Sequence, residues 1–191
     1  MLRLGFVVAA AGTILGSIVT ASAAPPQILA PQALLVEAET GSILFEKAAD
    51  DLVAPASLAK LMTLNVVFDQ LQLGNINLDD EYVISVNAWR KGGAPSHSST
   101  MYAALNSRVK VEDLLKDVMI QSANDGCIAL AEGIAGNETE FVRMMNDRTR
   151  EVGLTKSDFT NVDGLPDPKM RVTPRELAMM ARYIVLNYPD S

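Results

Sequence analysis

Apolar residues recur at helical spacing in five stretches of the chain, and these stretches predict five helices. The predicted helices cover residues 57–72, 111–121, 125–135, 138–152 and 173–187. Positions i, i+3 and i+4 share one face of a helix, so the apolar side chains of each stretch can be buried together. The first stretch is apolar on nearly every side, which indicates a helix in the core.

Two further patterns complete the predicted elements. Residues 33–38 and 42–47 flank a Glu-Thr-Gly turn and predict a β-hairpin. Thr173, Pro174 and Glu176 form a capping box with proline at the first helical position, which marks the start of the last helix. The chain therefore combines strands with helices, and its sequence contains no internal repeat.

Residues 1–23 have the composition of a secretory signal peptide. A short basic start that ends at Arg3 is followed by the apolar run Leu4–Val19 and by the small residues Ala21-Ser22-Ala23. We expect cleavage after Ala23, which leaves residues 24–191 as an exported chain. The alternative is an uncleaved membrane anchor, because the apolar run approaches the roughly 18–20 residues that span a bilayer.

The acidic balance of the chain limits its partners. Sixteen Lys and Arg against 23 Asp and Glu give a formal net charge of −7. This charge argues against binding to nucleic acid and against broad electrostatic docking on anionic lipid. The acidic residues of the 79–81 segment, together with Asp163 and Asp167, are interpreted as solvated loop residues.

The sequence contains one cysteine and one histidine. Cys127 cannot form an internal disulfide, and its place on an apolar helix face predicts a buried, unreactive thiol. His97 falls in a loop and is expected to be exposed and not catalytic, because no partner motif surrounds it. The sequence shows neither metal-ligand spacing nor a phosphate-binding glycine loop, so no metal and no cofactor are predicted.

A serine and a lysine three residues apart stand at the start of the first predicted helix. Ser57 and Lys60 would lie one turn apart on the same helix face. If burial keeps the lysine amine neutral, that amine can take the serine proton and leave a nucleophilic alkoxide. The alternative is that Ser57 only caps the helix. Ser107 and Lys110 have the same spacing in a polar stretch, where the lysine would stay hydrated and protonated.

A second serine pattern lies between two of the predicted helices. Ser122 and Asn124 occupy the short link before the helix at 125–135, so both side chains can point into one cleft. There Ser122 could pass a proton between Lys60 and a leaving group. Asn124 could donate a hydrogen bond to a substrate carbonyl. Helix capping is again the alternative.

The ordered pair of Ser-x-x-Lys and Ser-x-Asn patterns resembles the penicillin-recognising serine peptidases and β-lactamases. More narrowly, the chain is similar to the serine-type D-alanyl-D-alanine carboxypeptidases, which are low-molecular-mass penicillin-binding proteins. The similarity runs from about Ala33 to Tyr188. The similarity rests on several sequence segments, among them Pro55-Ala56-Ser57-Leu58-Ala59-Lys60, Gln121-Ser122-Ala123-Asn124-Asp125 and Phe159-Thr160-Asn161-Val162-Asp163-Gly164-Leu165.

The resemblance implies a fold, a reaction and a site. The implied fold is α+β, of the β-lactamase/transpeptidase type, with a helical cluster against an antiparallel sheet and the active site at their junction. The implied substrates are peptidoglycan stem peptides ending in D-Ala-D-Ala, and β-lactams would be covalent inhibitors. Ser57 would form the acyl-enzyme, Lys60 would be its base, and Ser122 with Asn124 would form the second active-site element. Together with the signal-peptide pattern, the resemblance implies an exported chain in the periplasm or on the outer face of a bacterial inner membrane, with which the chain could also associate.

One departure from the family pattern bears on activity. The third family motif, Lys-Thr-Gly or a close variant, does not occur in the sequence, which ends at Ser191. The resemblance implies that this strand supplies a cation for the substrate carboxylate and one oxyanion-hole N–H. Losing one oxyanion donor lowers a rate by roughly 10²–10³. We therefore expect residues 24–191 to be the N-terminal part of a carboxypeptidase domain, with an incomplete sheet and impaired activity.

Two other functions stay open on the sequence alone. A catalytically incompetent exported binding protein would retain the helical cluster and lack the third motif. A β-lactamase is disfavoured, because β-lactamases of this type use a glutamate-led loop to activate the deacylating water. Residues 158–169, which would form that loop, contain no glutamate.

Overall fold

The computed structural model describes residues 27–189, and the segment predicted as a signal peptide lies outside them. Within this range the elements are β1 (Ala33–Val36), β2 (Ile43–Lys47), α1 (Lys60–Gln72), β3 (Glu81–Val83), α2 (Val86–Lys91), β4 (Arg108–Lys110), α3 (Val111–Gln121), α4 (Asn124–Ala135), α5 (Glu138–Glu151) and α6 (Pro174–Asn187). A 3₁₀ turn over Ala56–Ala59 leads directly into α1. No helix of the described range is both long and apolar enough to cross a membrane.

The core is built around α4. Every residue from Asn124 to Ala131 is buried, so this helix is enclosed by its neighbours over two turns. Gly126 lets α3 approach closely, because a Cβ at that position would meet a Val118 methyl group at 3.1 Å. Large, fully buried side chains of the surrounding helices complete the packing: Met62, Val67, Leu114, Phe141 and Met145.

A largely buried arginine joins three helices. Arg148 of α5 forms an ion pair with Asp69 of α1 at 3.0 Å and donates a hydrogen bond to Asn65 Oδ1 at 2.9 Å. Its guanidinium also donates to the hydroxyls of Tyr183 and Tyr188, at 3.0 and 2.9 Å. Because charged donors make the stronger hydrogen bonds of proteins, this group fixes α1, α5 and α6 relative to one another.

The strands form two separate antiparallel pairs. β1 pairs with β2, with a bulge between Leu35 and Val36, and β3 pairs with β4. The first pair is attached to α6, where Arg182 donates to the carbonyl oxygens of Ala38 and Glu39 at 2.7 and 2.8 Å. The predicted hairpin and the predicted combination of a helical cluster with an antiparallel sheet are therefore present.

The predicted helices are confirmed with small shifts of their ends. The first begins at Lys60, since Ser57 lies in the preceding 3₁₀ turn. Only one of the two hydrogen bonds expected of the capping box is present. The Thr173 hydroxyl accepts a hydrogen bond from the Glu176 N–H at 3.1 Å, whereas the Glu176 carboxylate accepts from residues 155–157. The short elements β3, α2 and β4 were not predicted.

Candidate active site

Ser57 and Lys60 lie together at the entry to α1. The Lys60 Nζ and Ser57 Oγ atoms are 3.5 Å apart. In a 3₁₀ turn the side chains at i and i+3 eclipse, which brings these two groups to the same side. Ser57 is exposed, whereas Lys60 is only 4% exposed. The N-cap of α1 is Ala59, without a side-chain hydrogen bond, so Ser57 does not cap this helix.

The Lys60 amine is held by a loop that follows α5. It donates a hydrogen bond to the Asp163 carbonyl oxygen at 2.6 Å. One turn further along α1, the Thr63 hydroxyl donates to the Val162 carbonyl oxygen, also at 2.6 Å. Burial lowers the pKa of Lys60 below the ordinary lysine value of 10.5. This shift is in the direction of the neutral amine, which is the form that can accept a proton.

Asp163 is buried, so its interpretation as a solvated loop acid is wrong. The residue is 4% exposed, and its Oδ1 accepts a hydrogen bond from the Leu165 N–H at 3.0 Å. Burial raises the pKa of the Asp163 carboxyl. Asp163 is in contact with Lys60, which lies 103 residues away in the sequence. Local sequence patterns therefore could not predict that Asp163 is buried. Asp167 is partly exposed.

The backbone beside the nucleophile is in close contact with the same loop. Gly164 has φ +84°, and a Cβ there would overlap the carbonyl oxygen of Ala56. Ala56 itself has φ 47°, in the left-handed region that residues with a Cβ seldom adopt. Such backbone strain costs about 1–3 kcal/mol and persists only where the surroundings enforce it. Gly164 thus supports the residue that precedes Ser57.

Ser122 and Asn124 lie at the junction of α3 and α4. Ser122 ends α3 in the left-handed conformation, with φ 57°, and is partly buried. Asn124 is the first residue of α4 and is 4% exposed. On the same helix, Cys127 lies close enough to Lys60 for each group to affect the pKa of the other. Within residues 27–189 no hydrogen bond joins Ser122 or Asn124 to Ser57 or Lys60, so their roles stay predictions.

The structure places Cys127, Lys110 and His97 as the sequence indicates. Cys127 is fully buried, and burial raises the pKa of its thiol. Lys110 pairs with Asp79 at 2.7 Å on the surface, and that contact raises the pKa of the lysine. His97 is exposed in its loop. In the described part of the chain, no group of three His, Cys, Asp or Glu residues could hold a metal ion.

Comparison with known proteins identifies the family. Residues 19–191 match a family of S11 peptidases described as D-alanyl-D-alanine carboxypeptidase. The chain belongs to this family. The expected resemblance is confirmed, and it extends over almost the whole sequence.

Named carboxypeptidases are similar to about nine-tenths of the chain. The chain is 37% identical over 177 residues to DacC of Escherichia coli K12 and 38% identical over 166 residues to DacA of Haemophilus influenzae. These matches cover 90% and 87% of the chain but 44% and 42% of the relatives. The chain therefore spans less than half the length of these carboxypeptidases.

Solved structures of the same family confirm the α+β fold. Penicillin-binding protein 5 of Haemophilus influenzae superimposes with a TM-score of 0.84 at 37% identity, over 88% of this chain and 48% of that protein. Penicillin-binding protein 6B of Escherichia coli gives a TM-score of 0.81 at 36% identity, over 86% of this chain and 52% of that protein. The fold is that of the penicillin-binding proteins.

Sequence reasoning missed the loop that holds Lys60 in this carboxypeptidase relative. The Asp163 carbonyl oxygen and Gly164 contact the site from a segment that looked like ordinary polar loop. The sequence signal that could have indicated this contact is Gly164, beside Asp163 in the family-like segment Phe159–Leu165. Glycine permits two backbones to approach closely.

Proposed function

We propose that the chain is part of a serine D-Ala-D-Ala carboxypeptidase that is acylated at Ser57. The observation that carries this proposal is the 3.5 Å separation between the Ser57 hydroxyl and the amine of the buried Lys60. An activated nucleophile needs a base within hydrogen-bond reach, and burial lowers the pKa of the Lys60 amine, which is the direction that a proton acceptor requires. Membership of the carboxypeptidase family supports the same reaction.

The proposed reaction proceeds in two steps. Lys60 takes the proton of Ser57, and Oγ attacks the carbonyl carbon of the penultimate D-Ala, while Asn124 donates a hydrogen bond to the substrate. Ser122 relays the proton to the departing amine, so D-Ala leaves and an ester to Ser57 remains. Water then hydrolyses this ester, which releases the shortened peptide and restores the hydroxyl. A β-lactam would acylate the same oxygen and stay bound.

The proposed place of action is the bacterial periplasm or the outer face of the inner membrane. The basic start, apolar run and small residues of the N-terminus support export. The names of the relatives indicate action on D-alanyl-D-alanine for those proteins. The proposed substrate of this chain is a peptidoglycan stem peptide with that ending.

A second candidate concerns residues 1–191 taken by themselves, as an exported binding protein that does not turn over. No Lys-Thr-Gly triplet occurs among residues 1–191. By family resemblance that triplet would anchor the substrate carboxylate and complete the oxyanion hole. A polypeptide that lacked those contacts would stabilise the transition state less, although acylation by a reactive β-lactam would remain chemically accessible.

A labelled penicillin tests both candidates. We expect intact-mass and peptide mass spectrometry to find an adduct on Ser57 that disappears in Lys60→Ala. Lys110→Ala, the exposed lysine of the other Ser-x-x-Lys sequence, is the matched control and should keep the adduct. Release of D-Ala from a pentapeptide would exclude the non-catalytic candidate. No adduct on a chain that unfolds cooperatively would overturn the acylation proposal, and rapid turnover of penicillin would indicate a β-lactamase instead.

A further inference from the structure

Residues 92–101 form a loop that covers the start of α4. The Asn124 N–H donates a hydrogen bond to a carbonyl oxygen of this loop at 2.9 Å. A Cβ on Gly92 would overlap the backbone nitrogen of Asp125, so the two backbones are in direct contact. The buried Asp125 carboxylate also accepts a hydrogen bond from the Thr100 hydroxyl at 2.6 Å. The loop is therefore attached to the helix start along its length.

Two serines of this loop form a directed chain of hydrogen bonds. The Ser96 hydroxyl donates to the Gly93 carbonyl oxygen at 2.7 Å, and the Ser96 and Ser98 hydroxyl oxygens are 2.7 Å apart. A hydroxyl has one proton to donate. Because the Ser96 proton is directed to Gly93, Ser98 must be the donor in the serine pair. The Ser98 oxygen can then only accept from its remaining neighbour, the Asn124 Nδ2 atom at 3.0 Å.

This direction determines how the Asn124 amide is oriented. Its NH₂ group faces Ser98, and its Oδ1 atom faces the other way. Oδ1 is buried and has no hydrogen-bond partner among the described residues. An unsatisfied buried acceptor is destabilising, and an amide without a directional neighbour can exchange its two ends. The serine chain therefore holds an orientation that leaves the Oδ1 acceptor and one N–H of Asn124 without a hydrogen-bond partner among the described residues.

We infer that Ser98, held in turn by Ser96, is a positioning residue that orients the Asn124 amide towards the bound substrate. The inference rests on the proposed function and deepens it, since a fixed amide presents one donor and one acceptor to the secondary amide of a peptide or β-lactam. His97, between the two serines, has φ 54°. Strained backbone of this kind persists where the surrounding structure enforces it.

Nuclear magnetic resonance of the ¹⁵N-labelled chain tests the orientation without reference to activity. The Asn124 side-chain NH₂ signals are identified by their loss in Asn124→Asp. We expect hydrogen exchange of these protons to become at least about tenfold faster in Ser98→Ala and faster in Ser96→Ala, since a lost bond frees the amide. Ser98→Thr keeps a hydroxyl and should retain slow exchange. Ser99→Ala, the adjacent exposed serine, is the matched control. Unchanged exchange in Ser98→Ala would overturn the inference.

The acylation rate provides the second measurement. Ser98→Ala should lower the second-order rate constant for labelled penicillin about tenfold, and it should have no further effect when Asn124 is already alanine. Equal effects of Ser98→Ala in both backgrounds would show that Ser98 acts independently of Asn124 and would overturn the proposed positioning. If the unmodified chain is not acylated at all, the proposed function fails, whereas the exchange measurement still decides the role of Ser98. Circular-dichroism melting of each variant excludes unfolding as the cause.

Discussion

At the scale of single residues, the environment of Lys60 governs the proposed chemistry. Its amine is removed from solvent and donates to the Asp163 carbonyl oxygen at 2.6 Å, while the Ser57 hydroxyl lies at 3.5 Å. A neutral amine can satisfy that carbonyl through one N–H and still offer its lone pair to the serine proton. The carbonyl orients the amine, while burial, the largest influence, lowers the lysine pKa and the nearby Asp163 carboxylate opposes that shift.

The lowered pKa of Lys60 predicts how stability depends on pH. Between the folded-state pKa and the ordinary value of 10.5, the unfolded chain binds more protons than the folded chain, so folding becomes more favourable as pH rises. We expect the free energy of unfolding of the unmodified chain to rise relative to Lys60→Met over this window. Urea titrations of both proteins at successive pH values measure the difference.

Lys110→Met is the control for this pH dependence. The pKa of Lys110 is raised by its hydrogen bond to Asp79, so its contribution is fully present below 10.5 and is lost only above that value. The difference between Lys110→Met and the unmodified chain should therefore stay constant from neutral pH to 10.5. A Lys60→Met difference that is equally constant would show that the Lys60 amine is not desolvated.

Gly164 is expected to be more sensitive to substitution than other glycines with positive φ. Gly164→Ala introduces a Cβ that overlaps the Ala56 carbonyl oxygen, whereas Gly153, at φ +80°, has no atom near the corresponding position. Both alanines incur about 1–2 kcal/mol for the left-handed backbone. Gly164→Ala should cost about 1–3 kcal/mol more through steric overlap, and it should slow acylation because the Ala56–Ser57 backbone must move. Thermal melts and adduct formation measure both effects; equal losses in the two variants would contradict the close contact.

The two halves of the candidate site differ in how visible they are in the sequence. Ser57 and Lys60 share one turn, so their proximity follows from helical spacing alone. Asp163 and Gly164 reach Lys60 and Ala56 through tertiary packing across a large sequence separation. Local patterns contain no information about such a contact, which explains why Asp163 was misjudged.

At the scale of elements, the length of a helix or strand decides whether its hydrophobic periodicity can be recognised in the sequence. The helices of eleven or more residues, such as α3 and α5, show several turns of apolar periodicity. In contrast, α2 has six residues and β3 and β4 have three each, which is too short to establish a period. β3 and β4 form by pairing with each other across a large sequence separation. The residues of each strand alone therefore do not predict a strand.

The start of α6 depends on a carboxylate that faces away from its own helix. Glu176 is 6% exposed, and it accepts hydrogen bonds from the Thr155 and Lys156 N–H groups and from the Ser157 hydroxyl. Glu176→Gln should lower the free energy of unfolding by about 1–3 kcal/mol, because a charged acceptor of several donors is replaced by an amide. Urea unfolding measures the loss. Glu112→Gln, which alters an exposed pair with Lys116, is the control and should change stability by less than about 0.5 kcal/mol.

At the scale of the whole molecule, the hairpin formed by β1 and β2 is less well buried than the helical core. A two-stranded sheet is marginal in water, and Leu35, Ile43 and Leu44 are each at least half exposed. Its attachment includes the two hydrogen bonds that Arg182 donates from α6. In contrast, α4 is enclosed by other helices.

Native-state hydrogen exchange should separate these two regions. Amides of β1 and β2 are expected to exchange faster than those of α4, because few buried contacts oppose local opening of the hairpin. Arg182→Ala should accelerate exchange in the hairpin and leave α4 unchanged, since the lost bonds lie outside the core. Arg143→Ala removes an exposed arginine of α5 and serves as the control. Equal protection of the hairpin and α4 in the unmodified chain would contradict this description.

Because Cys127 is buried, chemical labelling of its thiol can detect opening of the core without an introduced probe. It is the only thiol in the sequence, it has no solvent contact, and it lies close enough to Lys60 for each group to affect the pKa of the other. A thiol-reactive dye can modify it only in molecules whose central helix has separated from its neighbours. The labelling rate in mild denaturant therefore measures how often the region around the lysine opens, without any introduced probe. The same rate, followed after addition of a β-lactam, would reveal how strongly a covalent ligand closes the fold around itself.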